Sequence, residues 1–514
     1  MAYLLGLDVG TTGTKTLLLD ESGRVVARAT SEYPLSTPRP GWAEQDPADW
    51  WRATCGTIQA VLAQAGLSGA EITGVGLSGQ MHGSVFLDEA DEIIRPALLW
   101  CDQRTAEQCA WITDTVGPEA IVAETCNPVL TGFTAPKIIW LRQNEPENYG
   151  RVRKVLLPKD YVRLRLTGEY ATEVSDASGT ALFNVPNRRW SDLILDRIGL
   201  PREFLPRVYE SPEVTGLISP IAAEATGLAV GTPVVGGGGD QAAGAVGNGI
   251  VQTGVYSSTI GTSGVVFAHL DEPLMDEKLR THTFCHAVPG KWHVMGVVLS
   301  AGGSLRWLRD TLCAEEVAAA KQAGRDAYEL MTREAGTVPP GAEGLIFLPY
   351  LTGERTPYPD PNAKGVFFGL TIRHTKAHLI RAVLEGVAFA LRDSFEIMRA
   401  MGAPDREVRA SGGGARSPLW RQIQADVTGH SHCTINMEEG PAFGVALLAG
   451  VGTGTFASVL EACAATIAVV DEAAPDEART RQYEGYYRLY QELYQRLAPS
   501  FDFDQQLVAA WLAR

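Results

Sequence analysis

The chain has 514 residues, 45% of them hydrophobic, with 44 Lys+Arg against 60 Asp+Glu and a formal net charge of −16. That length holds more than one core, because single cores stop growing near roughly 250–300 residues, and the charge excludes a general binder of nucleic acid or anionic membrane. A polyanion such as ATP would have to be held locally, by backbone N–H groups and a metal ion.

YLLGLDVG (3–10) predicts a buried strand closed by Asp8, TLLLD (16–20) a second strand, and VVARATSEY (25–33) a third. Asp8 and the lack of a basic start argue against a targeting segment. In DVGTTGTK (8–15) the small residues let successive amides point into one concavity, which suits an anion. Asp8 can hold Mg²⁺ there and Lys15 can reach a phosphoryl oxygen; the plain alternative is a hairpin with a solvent-facing acid. No GxxxxGK[ST] occurs, so the loop is not a Walker A loop.

Asp46 is placed to cap a helix with Pro47 at its first position, running to about Gln64. EITGVGLSG (71–79) follows as a buried strand. GVGLSG fits GxGxxG, but QMHGSVFLD reads as a turn into another strand, whereas dinucleotide binding needs a helix there. Gln80, Met81 and His82 at that strand's end offer an amide, a thioether and an imidazole, a set suited to a small polyol. PVVGGGGDQAAGAVGNG (233–249) sets Asp240 behind four glycines, as if something must come close to the backbone.

GVYSSTIGTSGVVFAHL (254–270) repeats the pattern strand, Gly/Thr turn, strand, and its GTSG echoes GTTG at 10–13. Two related domains with a seam near 245–255 are expected. In GGGARSPLWRQIQADVTG (412–429) a glycine loop on which a flat ring could lie leads into a helix capped by Ser417. The uncharged run 440–460 is broken by Gly450, Gly452 and Gly454 and predicts a buried helix with a turn, not a membrane span. After about 455 the chain reads as helical, with Tyr483, Tyr486, Tyr487, Tyr490, Leu493, Tyr494 and Leu497 as a packing stripe. Eight cysteines without a CxxC pair fit reduced thiols in a cytoplasm. The groups His282/Cys285/His286/His293 and His430/His432/Cys433 lack zinc spacing, and GERTPYPDP (353–361) predicts an ordered loop without a role.

Together these segments resemble the FGGY carbohydrate kinases over nearly the whole chain. GFTAPKIIWLRQ (132–143) and GVFFGLTIRHTKAHLIRAVLEG (365–386) are similar to that family's two signatures, and LDVGTTGTK and IGTSG to its two phosphate loops. The resemblance implies an α/β fold of two ribonuclease-H-like (actin/hexokinase-type ATPase) domains with the site in the cleft between them. They would span 1–247 and 254–455, with a helical extension over 456–514. It implies ATP and Mg²⁺, with Asp240 as catalytic base, Asp8 as the Mg²⁺-side carboxylate, and both acids as the metal-site residues. Gln80, Met81, His82 and Gln241 would be sugar contacts, and Thr11, Thr12, Lys15, Gly261, Thr262, Gly412, Gly413 and Gly414 ATP contacts. SGQMHG, WAEQDPADWW and LLPKDY point to members acting on D-xylulose, a ketopentose; a cytoplasmic homodimer is the accompanying expectation. Gln241 stands where many of those members carry Asn, which keeps ribulose, a pentitol or glycerol open as substrates. The competitor from another class is an actin-like ATPase with no sugar substrate, marked by sugar-independent hydrolysis.

Overall fold

The structure, a computed structural model, describes residues 2–512. Tyr3–Val9 (β1), Gly13–Asp20 (β2) and Val25–Glu32 (β3) form an antiparallel meander. Helix Pro47–Ala65 (α1) follows, its first turn held by the Asp46 carboxylate accepting the Ala48 N–H and its end by left-handed Gly66. Ile72–Gly79 (β4) then returns parallel to β1 and leads through a turn, not a helix, into the short strand Val85–Leu87. The central strands are apolar on both faces, which requires cover on both sides. Leu5, Leu7, Val75 and Leu77 pack with Trp50, Ile58 and Val61 of α1, while Leu4, Leu17 and Leu19 face the other way.

Helices Thr134–Asn144 (α2), Pro158–Thr167 (α3) and Val174–Ala177 (α4) follow; α3 packs with α1 into the core of this sheet, while α2 and α4 share a second core. Val214–Leu217 (β5), Pro233–Val235 (β6) and Gly238–Gly239 (β7) complete the sheet in the order β5-β6-β4-β1-β2-β3, with β7 also pairing β4. Helix Asp240–Gly247 (α5) starts directly from β7.

The second half repeats the plan. Gly254–Ile260 (β8), Gly264–Leu270 (β9), His282–Cys285 (β10) and Trp292–Val298 (β11) are followed by helices Gly302–Leu312 (α6) and Lys376–Ala400 (α7). Next come strand Asp405–Ser411 (β12), helix Pro418–Thr428 (α8), strand His432–Ile435 (β13), helix Gly440–Gly452 (α9), strand Val469–Ala473 (β14) and helix Glu477–Leu512 (α10). The sheet order is β10-β11-β9-β8-β12-β13-β14. β8, β9 and β11 form the antiparallel meander and β12 returns parallel to β8, as β4 does to β1. Both halves therefore carry the strand order of a ribonuclease-H-like core.

Helix α9 crosses the repeat. It lies in sequence between β13 and β14 of the second sheet but packs on the face of the first sheet opposite α1, against β1, β4 and α5. The approach is backbone to backbone: a Cβ at Gly6 would sit 1.9 Å from the Ala442 carbonyl oxygen, and one at Gly76 2.0 Å from that of Val445. The tyrosine stripe of α10 is core, with Tyr483, Tyr487, Tyr490 and Tyr494 buried and the Tyr490 hydroxyl 2.8 Å from that of Tyr350. The region after 455 is not wholly helical, because β14 adds an edge strand to β13. Four of its five residues are exposed, so it has only β-branched residues and pairing to mark it. Among the described residues no helix is long and apolar enough to cross a membrane.

Candidate active site

Each half turns its first hairpin on glycine and threonine, and each turn is braced from outside. In the first, the Gly10 N–H bonds the Gly13 carbonyl (3.1 Å) and the Tyr33 hydroxyl donates to the Gly10 carbonyl (2.6 Å). The Gln45 amide donates to the Thr11 carbonyl (2.7 Å) and the Trp100 indole to the Thr11 hydroxyl (2.9 Å). Thr12 is exposed at the tip. In the second, the N–H groups of Gly302 and Gly303 at the start of α6 hold the carbonyls of Gly261 and Thr262 at 3.0 and 2.9 Å, and Arg306 donates to the Thr262 hydroxyl.

Asp8 lies on β1 beside Ser78 of β4, and Asp240 opens α5. Burial pushes the Asp8 carboxyl up to about 6, against the Ser78 hydroxyl and the Lys15 ammonium, which favour its charged form. Burial and then the Asp8 charge push Asp240 up to about 7, with the Gln241 amides pulling the other way. The Asp8 Oδ1 atom is buried without a hydrogen-bond partner. Two like charges close enough to repel, with an unsatisfied carboxylate oxygen, are what a divalent cation would relieve.

The glycines before Asp240 are occupied by protein. Gly237 has φ +71°, and a Cβ there would lie 1.8 Å from the Leu77 carbonyl oxygen; a Cβ at Gly239 would meet Met81 at 2.9 Å. Met81 is buried and packs on the residue that precedes the acid. His82, at φ +68°, is held by its backbone and its ring. Lys137 and Thr134 of α2 donate to its carbonyl at 2.9 and 3.0 Å, and its Nδ1–H donates to the Gly179 carbonyl at 2.6 Å. Burial lowers its pKa to about 3, so the ring is neutral and Nε2 is left as an acceptor. It stacks on Phe133 at 4.8 Å with Phe284 of β10 at 6.3 Å, so both halves wall this pocket. Gln80 is committed elsewhere: its amide donates to Gln45 (2.9 Å) and its carbonyl accepts from Thr11 (3.3 Å), which makes it a brace of the first loop. Sequence reasoning passed over Gln45, Tyr33, Phe133 and Phe284, although WAEQDPADWW and GFTAPK contain two of them.

From Asp240 and Gln241 a cleft of about 490 Å³ runs past Gly244 and Asn248 to Ser411, Gly412 and Gly413 and to Glu438 and Gly440. Gly412 and Gly414 press on Ile260 of β8; Gly414 is buried, while Gly413 faces the cleft. Lys15 makes an ion pair with Glu439, which Arg28 also grips at 2.6 Å. In the histidine groups His282 meets Asn127 at 3.1 Å, His286 the Ile250 carbonyl at 3.0 Å and His432 the His430 carbonyl at 3.0 Å, whereas both ring nitrogens of His293 are buried without a hydrogen-bond partner.

Duplicated ribonuclease-H-like cores, paired Gly/Thr loops and a nucleotide-sized cleft lined at one end by a half-buried acid define a phosphotransferase of the actin/hexokinase ATPase class. Residues 3–247 match the N-terminal domain of the FGGY family of carbohydrate kinases and residues 256–453 its C-terminal domain. The chain belongs to that family. It is 42% identical to the xylulose kinase of Escherichia coli over 96% of this chain and 99% of that one, and 38% identical to that of Bacillus subtilis over 96% and 97%. The crystal structure of xylulose kinase from Rhodospirillum rubrum superposes with a TM-score of 0.90 at 31% identity, covering 97% of this chain and all of that one.

Proposed function

We propose that this protein transfers the γ-phosphoryl group of ATP to the terminal hydroxyl of D-xylulose, giving D-xylulose 5-phosphate. The observation that carries the reading is Asp240, at the inner end of the cleft, with a carboxyl near 7 beside Asp8. A base is most effective when its pKa lies near the working pH. In the loose transition state of phosphoryl transfer, Asp240 orients the hydroxyl and accepts its proton late, while positioning and electrostatics supply most of the acceleration. Asp8, whose Oδ1 is unpartnered, and Asp240 would hold a Mg²⁺ ion brought with ATP, which would supply positive charge against the phosphates. Met81 and neutral His82 shape the sugar pocket, with the His82 Nε2 as a hydroxyl acceptor and Gln241 at the distal hydroxyls. Gly412 and Gly413 receive the adenosine, and Thr11, Thr12, Gly261 and Thr262 flank the phosphates, with Lys15 joining them on leaving Glu439. Sugar binding draws the halves together and excludes water. A cytoplasmic homodimer completes the reading; all eight cysteines are unpaired.

The test is ADP release with Mg-ATP across D-xylulose, D-ribulose, L-xylulose, xylitol, ribitol, glycerol and no sugar. D-xylulose is expected to give the highest kcat/KM. Another polyol on top would transfer the reading to a sibling kinase with a pocket rebuilt at Gln241, and hydrolysis indifferent to sugar would remove it.

A further inference from the structure

Four consecutive glycines, Gly236 to Gly239, have no side chains with which to fix the residue they present. Their backbone must be fixed by something else. Arg163 of α3 donates to the carbonyls of Val235 (2.5 Å) and Gly236 (2.6 Å). The Gly237 N–H donates to the Ser211 carbonyl (2.8 Å), and the Gly239 N–H, one residue before Asp240, donates to the Ser175 hydroxyl (3.0 Å).

The two serine anchors converge on one buried carboxylate, while Arg163 pairs with Asp160 (3.3 Å). Glu173 accepts the Ser175 hydroxyl (2.9 Å), the Ser175 N–H (2.7 Å), the Asp176 N–H (2.9 Å) and the Ser211 hydroxyl (3.1 Å). With its proton given to Glu173, the Ser175 oxygen has only lone pairs to offer Gly239. Lys159 lies among Asp160 (2.9 Å), Asp176 (3.0 Å) and Glu173 (3.5 Å), all fully buried. Replacing such a cluster by apolar side chains of similar volume is often neutral or stabilising, so its presence calls for a reason other than stability.

We propose that Ser175, oriented by Glu173, is a positioning residue for the transfer reaction: it fixes the Gly239 amide and so aims the Asp240 carboxylate along the line of transfer. Displacement of a reacting group by about 1 Å can cost roughly 10²-fold in rate, so one hydrogen bond to the peptide before the acid is enough to matter. The inference rests on Asp240 as the base.

The experiment compares Ser175→Ala, Ser175→Thr and Ser211→Ala by kcat and KM for D-xylulose with Mg-ATP, and by Tm. Ser211→Ala removes a bond to the same Glu173 but leaves the carbonyl that holds Gly237, so it reports the structural cost alone. S175A is expected to lose about 10- to 100-fold in kcat with KM close to the parent and Tm lowered as in S211A, S175T to regain most of the kcat, and S211A to keep parental kcat. Parental kcat in S175A overturns the inference, as does an equal kcat loss in S175A and S211A. Should S175A fail to fold, Ser175→Cys, similar in volume and a weaker acceptor, decides in its place: a fivefold or greater loss of kcat supports positioning and parental kcat overturns it. Asp240→Asn separates the two readings. An active D240N removes the base itself, whereas an inactive D240N with a fully active S175A removes only the positioning role.

Discussion

Burial holds Asp8 near 6, and burial together with the Asp8 charge holds Asp240 near 7, against 3.8 for an ordinary aspartate. Between those values the native protein binds more protons than the unfolded chain. The stability these groups contribute is therefore complete below 3.8 and is lost as pH rises through about 7. In the absence of Mg²⁺ and nucleotide, Asp240→Asn is expected to melt above the parent at about pH 8, with the gap closing toward about pH 5. A pH-independent gap in Tm would show that the carboxyl is not titrating as described. The same substitution should leave ATP binding intact while reducing transfer by about 10²–10⁴-fold, the usual contribution of a general base. At this scale the sequence was readable where a residue type has few other uses, as with an acid behind four glycines. It was not readable where polar groups are turned inward on one another: nothing in LPKDY or TEVSDASG announces that Lys159, Glu173 and Ser175 meet beneath the glycine loop.

Elements show the same contrast. The strands of both meanders follow from their apolar runs and Gly/Thr turns, and α1 from Asp46 and Pro47, because these signals act within a few residues. The seat of α9 on β1 and β4 depends on contacts hundreds of residues apart and leaves only scattered glycines as a trace. Their meaning is testable by paired substitution. Gly76→Ala drives a methyl into the Val445 carbonyl, and a loss at the upper end of about 1–3 kcal/mol is expected from overpacking. Gly56→Ala, on the exposed side of α1 with nothing within 4 Å of the added carbon, should instead gain about 0.5–1 kcal/mol. Denaturant melts of the two variants give the comparison, and equal effects would deny the close crossing.

Across the whole molecule, the two halves meet in charge next to the cleft residues Glu438 and Gly440. Lys15 and Arg28 from the first sheet hold Glu439, the residue just before α9. The two cations hold the Glu439 carboxylate below its ordinary range, so it stays charged and competes with phosphate for Lys15. Glu439→Gln should therefore lower KM for Mg-ATP by about two- to fivefold, since one part-exposed ion pair is worth about 1 kcal/mol or less. An unchanged or raised KM would show that Glu439 does not compete. The duplicated plan and the cleft were legible from GTTG and GTSG, whereas the stitching of the halves was not. Chimeras between relatives feel that stitching directly. An exchange of residues 1–247 alone would set a foreign sheet against the resident 440–452 helix, with every glycine-to-carbonyl contact at risk. The exchangeable part is a discontinuous one, 1–247 together with 440–452, and a graft cut along that line is the one expected to stay soluble.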